Sequence, residues 1–330
     1  MRAMILGAGI GSRLDPLTRS LPKPLVPVVG KPVMGHIMDH LRHSGITEIV
    51  VNVQYLGDRI VETIGDGSAY GVKVTYSFED KLWGDAGGLK RVESFFRESD
   101  DETLLVVGGD DLTDTDITHI IAEHKAKGAA ATIGVTPVED PSAFGICVTD
   151  EQGFITRFQE KPKKGEAFSN LANTGIYIFD RKVFEYIPAD TFYGFGLNVL
   201  PAMLAAGEPM LAVTSTAYWQ DVGNLVIYRQ AQRDVIDGKV KIDFVEGSTV
   251  ADTCVVCPGA RVDGEISDYT VVGRGAVVEA GATVKNSILW DGAVVKSGTY
   301  LENCVVGNGV TVATTHGIFN GLIVEPKRPG

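Results

Sequence analysis

From Met1 to about residue 240, short runs of branched aliphatic residues alternate with stretches in which apolar positions return at helical spacing. Strand-like runs fall at residues 3–6, 48–53, 73–76, 103–107 and 130–135, and helical patterns at 33–43, 56–64, 88–96 and 116–125. This alternation predicts a doubly wound α/β fold, a mostly parallel sheet covered by helices, with ligands at the carboxyl ends of the strands. After Lys241 the period changes to six: Val250, Val256 and Val262, then after a slip Val272, Val278, Val284 and Trp290, and further on Val306 and Val312. Small residues and glycines fill the intervals, which predicts a left-handed hexapeptide β-helix. The expected domains are therefore 1–240 and 241–330. A coil this short leaves edges at its ends, so a homo-oligomer built through the β-helix is expected.

At 330 residues the chain is long enough for two cores. It carries 42 acidic and 30 basic residues, a formal charge of −12, which argues against nucleic acid and anionic membranes as partners. A phosphorylated ligand then requires the cations to be concentrated in one place. Four cysteines do not make a disulfide framework, and no apolar run is long enough to cross a bilayer, so a cytoplasmic protein is expected.

The cations are indeed concentrated. Residues 6–24, LGAGIGSRLDPLTRSLPKP, directly follow the first strand. Gly7, Gly9 and Gly11 allow close approach of backbone N–H groups to an anion, and Arg13 and Lys23 add two positive charges. A dinucleotide fingerprint would need glycine at Ser12 and an acid at the end of the second strand, where Val51, Asn52 and Val53 stand; a Walker A loop would need an adjacent Gly-Lys pair. A second signal is LLVVGGDDLTDTD, residues 104–116, a buried strand ending in carboxylates suited to a hard cation. Asp111, Asp114 and Asp116 read as N-terminal charges of the next helix. His36, His40 and His43 share a helix face without an acid or cysteine to complete a metal site. The Cys254/Cys257 pair lies inside the six-residue repeat, where small side chains fill a core.

The glycine segment resembles the signature of nucleotide-sugar pyrophosphorylases, and the resemblance covers most of the chain. Wording such as MRAMIL, KPVM, AGGLK and FQEKP is most similar to UDP-glucose and GDP-mannose pyrophosphorylases that carry a β-helix tail. The resemblance implies a Rossmann-like mixed sheet and a reaction between a nucleoside triphosphate and a sugar 1-phosphate that yields a nucleotide sugar and pyrophosphate. It implies that Leu6, Gly7, Ala8, Gly9, Gly11 and Ser12 hold the nucleotide, with Arg13 and Lys23 on its phosphates. It implies Mg²⁺ on Asp110 and on Asp221 of YWQDVG, residues 218–223. Glu79 stands where many members present Gln to the base, and a Glu carboxylate could accept from guanine N1–H and amino groups or from uracil N3–H. Gly84 and Asp85 lie in WGDAGGL, a loop that packs on the nucleoside in the family, with Asp85 in place of a Thr. Gly145, Glu160, Lys161, Asn173 and Thr174 fall in motifs that meet the sugar phosphate. Ala8 stands where many members have Gly, and Asn224-Leu225 replace a common Thr-Pro. Two rival readings remain: a regulatory paralogue that binds without turnover, suggested by Asp85, and a hexapeptide acyltransferase, disfavoured because the β-helix region holds one histidine, His316, in no recognisable active-site loop.

Overall fold

A computed structural model describes residues 1–324; positions 325–330 of the expected 241–330 domain lie outside the described residues. The chain forms two compact units, Met1–Gly9 with Ile37–Trp219, and Ile10–His36 with Gln220–Gly330. This cut differs from the expected division at 240. The segment bearing Arg13 and Lys23, and the helix Leu225–Ile236, pack in the same unit as the β-helix.

The first unit is built on a nine-stranded sheet. Four parallel strands lie side by side in the order Thr103–Gly108, Arg2–Leu6, Glu48–Val53, Lys73–Phe78. Ala3, Met4, Ile5, Ile49, Val50, Val51 and Leu104 to Val107 are all buried, the near-continuous apolar run of strands covered on both faces. The long strand Leu171–Asp180 enters antiparallel beside Thr103–Gly108 and also pairs with Ala131–Pro137, making the sheet mixed. Residues 88–96 do not form one helix. Helices Gly84–Arg91 and Glu93–Arg97 meet at Val92, whose backbone (φ −108°, ψ 18°) leaves the helical region. The helix Ile117–Lys127 is capped by Asp116, whose carboxylate accepts from His119 N at 3.0 Å. The other two acids expected there lie elsewhere: Asp111 opens the strand Asp111–Thr113, and Asp114 accepts from Tyr218 N at 2.8 Å.

In the second unit, three parallel sheets form the faces of the β-helix. From Val271 onward successive coils repeat every 17 residues, as in Val271↔Ile288 and Ile288↔Val305, whereas the first coil is offset by 16 at Val255↔Val271 and by 18 at Glu265↔Thr283. Three hexads would need eighteen; one residue is saved at the corner occupied by Asn286, Asn303 and Asn320, whose φ values are 44°, 55° and 56°. Asparagine tolerates this left-handed conformation better than most residues. The shorter repeat corrects the six-residue count. Leu289, not Trp290, continues the core stack between Val272 and Val306. Val250 lies outside the stack, on a half-exposed strand antiparallel to Cys254–Val256.

Trp290 has another task. Its Nε1–H donates to Tyr228 Oη at 2.8 Å, and Tyr228 in turn donates to Pro27 O at 2.9 Å. Arg233 donates to Asn286 Oδ1 at 2.9 Å and Arg229 to Asn303 O, seating the helix Leu225–Ile236 on the asparagine corner. Gln232 completes the attachment, its Nε2 donating to Pro27 O at 2.9 Å and its Oε1 accepting from Val29 N at 2.8 Å. The hairpin Pro27–Val28/Lys31–Pro32, just past Lys23, is thereby held by the helix. Cys257 packs under it, against Gly30, with its thiol directed at Val29 O. Among the described residues no helix is long and apolar enough to cross a membrane.

Candidate active site

In the first unit, predicted site residues gather at the carboxyl ends of the parallel strands. Leu6 ends one strand, and Gly7 and Ala8 follow it, buried, while Gly9 is exposed. Gly109 N donates to Leu6 O at 3.0 Å, and a Cβ at Gly109 would overlap that oxygen. The glycine thus brings the start of the Asp110 segment against the start of the glycine loop. The carboxylates of Asp110 and Asp111 both lie against Gly108, where a Cβ would come 3.3 Å from Asp110 Oδ1 and overlap Asp111 Oδ2.

Glu79 follows the strand Lys73–Phe78 and is buried. Burial raises its carboxyl above the usual range, partly offset by hydrogen bonds from Asn52 and the Trp83 N–H. The bond from Asn52 Nδ2 to Glu79 Oε1 is 2.7 Å. Asn52 escaped the sequence reading, although a lone amide within the apolar run EIVVNV was a visible signal.

Gly84 and Asp85 open the helix Gly84–Arg91. Asp85 turns inward, one oxygen accepting from Phe195 N and Ala86 N at 2.7 Å each. Tyr193 N donates to Trp83 O at 2.9 Å and Gly87 N to Tyr193 O at 3.0 Å. The loop is therefore stitched to residues 193–195, which accounts for the carboxylate that stood in place of Thr. Burial raises the Asp85 carboxyl. A raised folded-state value means that protonation stabilises the folded form at low pH and that this gain is lost as pH rises through it. Since both bonds end on one oxygen, Asp85→Asn should keep them and gain stability relative to wild type as pH rises. Asp85→Ala should lose about 1–3 kcal/mol. Thermal melting of the two variants between pH 5 and pH 8 checks this.

Among the residues expected to meet a sugar phosphate, Glu160 ends the strand Ile155–Glu160, and its Oε2 faces Gly145, where a Cβ would lie 3.0 Å away. Gly196 presses on the same carboxylate from the other side, and a Cβ there would overlap it; nothing in the sequence marked this residue. Lys161 has a positive φ of 43° and an exposed side chain, with Nζ 3.6 Å from Glu160 Oε1. Asn173 Nδ2 donates to Tyr177 Oη at 2.7 Å, while its Oδ1 accepts from Gly175 N at 2.9 Å. Thr174 is buried and its hydroxyl donates to Gly134 O at 2.8 Å.

In the second unit, Gly11 adopts φ 68°, and a Cβ there would come 2.7 Å from Lys23 Cβ. The short turn Ser12–Leu14 follows, anchored by buried Leu14 and Leu17, with Ser12 and Arg13 exposed. Asp221 closes the group. Lys23 Nζ lies 2.7 Å from its Oδ1 and Arg13 Nη2 lies 3.1 Å from its Oδ2. Burial would raise the Asp221 carboxyl, but Lys23 and then Arg13 outweigh it and hold it below the usual range. Gly223 makes room for this cluster, since a Cβ there would come 2.8 Å from Arg13 Nη2 and from Asp221 Oδ1. Asn224, the departure from Thr, caps the helix Leu225–Ile236 by accepting from Val226 N and Ile227 N at 3.0 Å each.

The histidines are structural. His36 Nε2 meets Val28 O at 3.0 Å and His40 Nε2 meets Thr115 O at 2.8 Å. Among the described residues no group of three or more His, Cys, Asp or Glu is arranged to hold a metal. A cation here would have to share its shell with substrate phosphates and water, as Mg²⁺ commonly does when one or two carboxylates hold it. Asp110 in the first unit and Asp221 in the second each offer hard oxygen donors of the kind that suit such a cation.

Residues 2–238 match the family model for nucleotidyl transferase, and residues 235–320 match that for the GlmU-like C-terminal hexapeptide domain. The chain belongs to the nucleotidyl transferase family. A UTP–glucose-1-phosphate uridylyltransferase of Synechocystis sp. is 37% identical to it over 331 residues, covering 84% of this chain and 85% of the relative. A mannose-1-phosphate guanylyltransferase of Mycobacterium tuberculosis is 31% identical over 294 residues, covering 88% and 79%. Among solved structures, a Bacillus anthracis protein provisionally named a glucose-1-phosphate thymidylyltransferase, in complex with sucrose, superposes with a TM-score of 0.63 at 30% identity. It covers 70% of this chain and 94% of its own. This nucleotidyl transferase thus has the catalytic domain and the hexapeptide domain that its sequence implied, and the activity class is transfer of a nucleotidyl group to a sugar 1-phosphate.

Proposed function

We propose that the enzyme condenses a nucleoside triphosphate with a sugar 1-phosphate, using UTP with glucose 1-phosphate or GTP with mannose 1-phosphate. The observation that carries the mechanistic part is the Lys23–Asp221–Arg13 cluster. Without substrate, the carboxylate neutralises both cations. A bound triphosphate would offer Lys23 and Arg13 further anionic partners, and Asp221, with its charge no longer balanced by them alone, would be one of the residues to hold Mg²⁺. The cation, held by Asp110 and Asp221, would supply charge neutralisation at the reacting phosphate. Lys23 and Arg13 then stabilise the departing pyrophosphate, while Lys161 orients the attacking sugar phosphate and Glu160 receives sugar hydroxyls. Glu79 is held as a hydrogen-bond acceptor, which suits a base edge carrying N–H and is the reason for naming uracil and guanine. The relatives named above support both pairs.

Pyrophosphate release, followed with each triphosphate against a panel of sugar phosphates in Mg²⁺, tests this reading. One of the two pairs should dominate. Silence across the whole panel rejects the catalytic reading, and full activity in the Asp110→Ala/Asp221→Ala double variant rejects the metal assignment. Acyl transfer has little support, since His316 is exposed and engaged only with neighbouring threonines. We also propose self-assembly through the β-helix, where the strands Thr311–Val312 and Ile318–Phe319 end their sheets among the described residues.

A further inference from the structure

We propose that Asn52 is a positioning residue for the nucleotide, coupling the first amide of the glycine loop to the carboxylate of Glu79. The inference rests on the proposed function only in taking the loop and Glu79 to face the triphosphate and its base.

The geometry leaves Asn52 one orientation. Gly7 N–H can only donate, and it lies 2.9 Å from Asn52 Oδ1. The amide nitrogen must therefore face Glu79 Oε1, at 2.7 Å, and donate to it. Both side chains are nearly fully buried, with 3% of Asn52 and 8% of Glu79 exposed, so neither bond is exchanged freely with water. Gly88 backs the pair; a Cβ there would come 2.8 Å from Glu79 Oε1 and 2.9 Å from Asn52 Nδ2. Any shift of the Glu79 carboxylate is thus passed through one rigid amide to the backbone N–H at the head of the loop. Asn52 also sets a polarity: its N–H obliges Glu79 to accept, leaving the carboxylate an acceptor toward a ligand as well. Buried inside an apolar strand, an amide that served packing alone would be replaceable by an apolar residue of its shape, whereas here each polar atom has one committed partner.

Reversing the charge pattern tests the coupling. In Asn52→Asp the new carboxylate can still accept from Gly7 N–H, but its second oxygen faces Glu79 at hydrogen-bonding distance. Two buried carboxylates cannot both stay ionised so close, and the pair must hold a proton. The charged groups acting on Glu79 include Arg91, which favours its ionised form, and Asp80, which opposes it. The KM for the triphosphate should rise about 10- to 100-fold at pH 8 and recover toward pH 6, with the KM for sugar 1-phosphate unchanged. Adding Glu79→Gln supplies a donor in the opposite direction, so the Asn52→Asp/Glu79→Gln double variant should regain most of the lost triphosphate affinity at every pH. Binding of UTP and GTP by thermal shift gives the same comparison without turnover. A wild type that binds triphosphate but releases no pyrophosphate would reject the catalytic reading and leave this comparison decisive. Wild-type KM in Asn52→Asp at all pH values, or a double variant no better than the single one in folding or in binding, overturns the proposal.

Discussion

Asp221→Asn should lower the rate of pyrophosphate release by about 10²- to 10³-fold while leaving the chain folded. The amide keeps the size of the carboxylate, and its oxygen can still accept from Lys23, which lies 2.7 Å away in the wild type. What it loses is the charge that would hold the proposed Mg²⁺ and that balances the two neighbouring cations. The wild-type carboxyl is held below the usual range by Lys23 and Arg13. A depressed value means that the ion pairs contribute fully above the ordinary carboxylate range and are lost only as pH falls beneath it. From pH 6 to pH 9 the variant's rate should therefore run parallel to that of the wild type at the lower level, and higher Mg²⁺ should restore part of the difference. A deficit that vanishes with pH inside that window, or a variant indifferent to Mg²⁺ with near-normal rate, would separate Asp221 from the chemistry.

Much of this arrangement could be read from the residues. The strands at 48–53 and 103–107 announced themselves because strands buried on both faces are apolar throughout, and the carboxylates after 103–107 stood out against that apolar run. Within 6–24 the closeness of Gly11 to Lys23 is a local feature, and the sequence marked both residues. Illegible parts depend on distant partners. Asp85 looked like a charge aimed at the nucleotide, yet its oxygen is spent on Phe195 N, more than a hundred residues away. Thr174 looked like a ligand group and bonds to Gly134 O. Asn52 was passed over because its meaning comes from Gly7 and Glu79 together. The 17-residue coil was hidden for another reason: dropping one residue at an asparagine corner leaves runs of six intact between corners, so counting by six succeeds locally and misplaces Trp290.

That misplaced tryptophan carries the largest expected effect on stability. Trp290 is 2% exposed, and its N–H is satisfied by Tyr228, which is fully buried. Trp290→Ala removes the indole and leaves Tyr228 Oη without its donor, a loss of about 3–5 kcal/mol. The melting temperature should fall by roughly 10 °C. Tyr228→Phe keeps the ring and deletes only the bridging hydroxyl, costing about 1–3 kcal/mol. The two variants also report on catalysis. Pro27 O is held by Tyr228 and Gln232 four residues after Lys23, so the β-helix, through Trp290 and Tyr228, fixes the hairpin that follows Lys23. Both variants should therefore lose kcat, assayed well below their melting temperatures, with little change in KM for sugar 1-phosphate. If Trp290→Ala melts early yet turns over like wild type in the cold, the β-helix stabilises its unit without setting Lys23, and the link from coil to catalysis is broken.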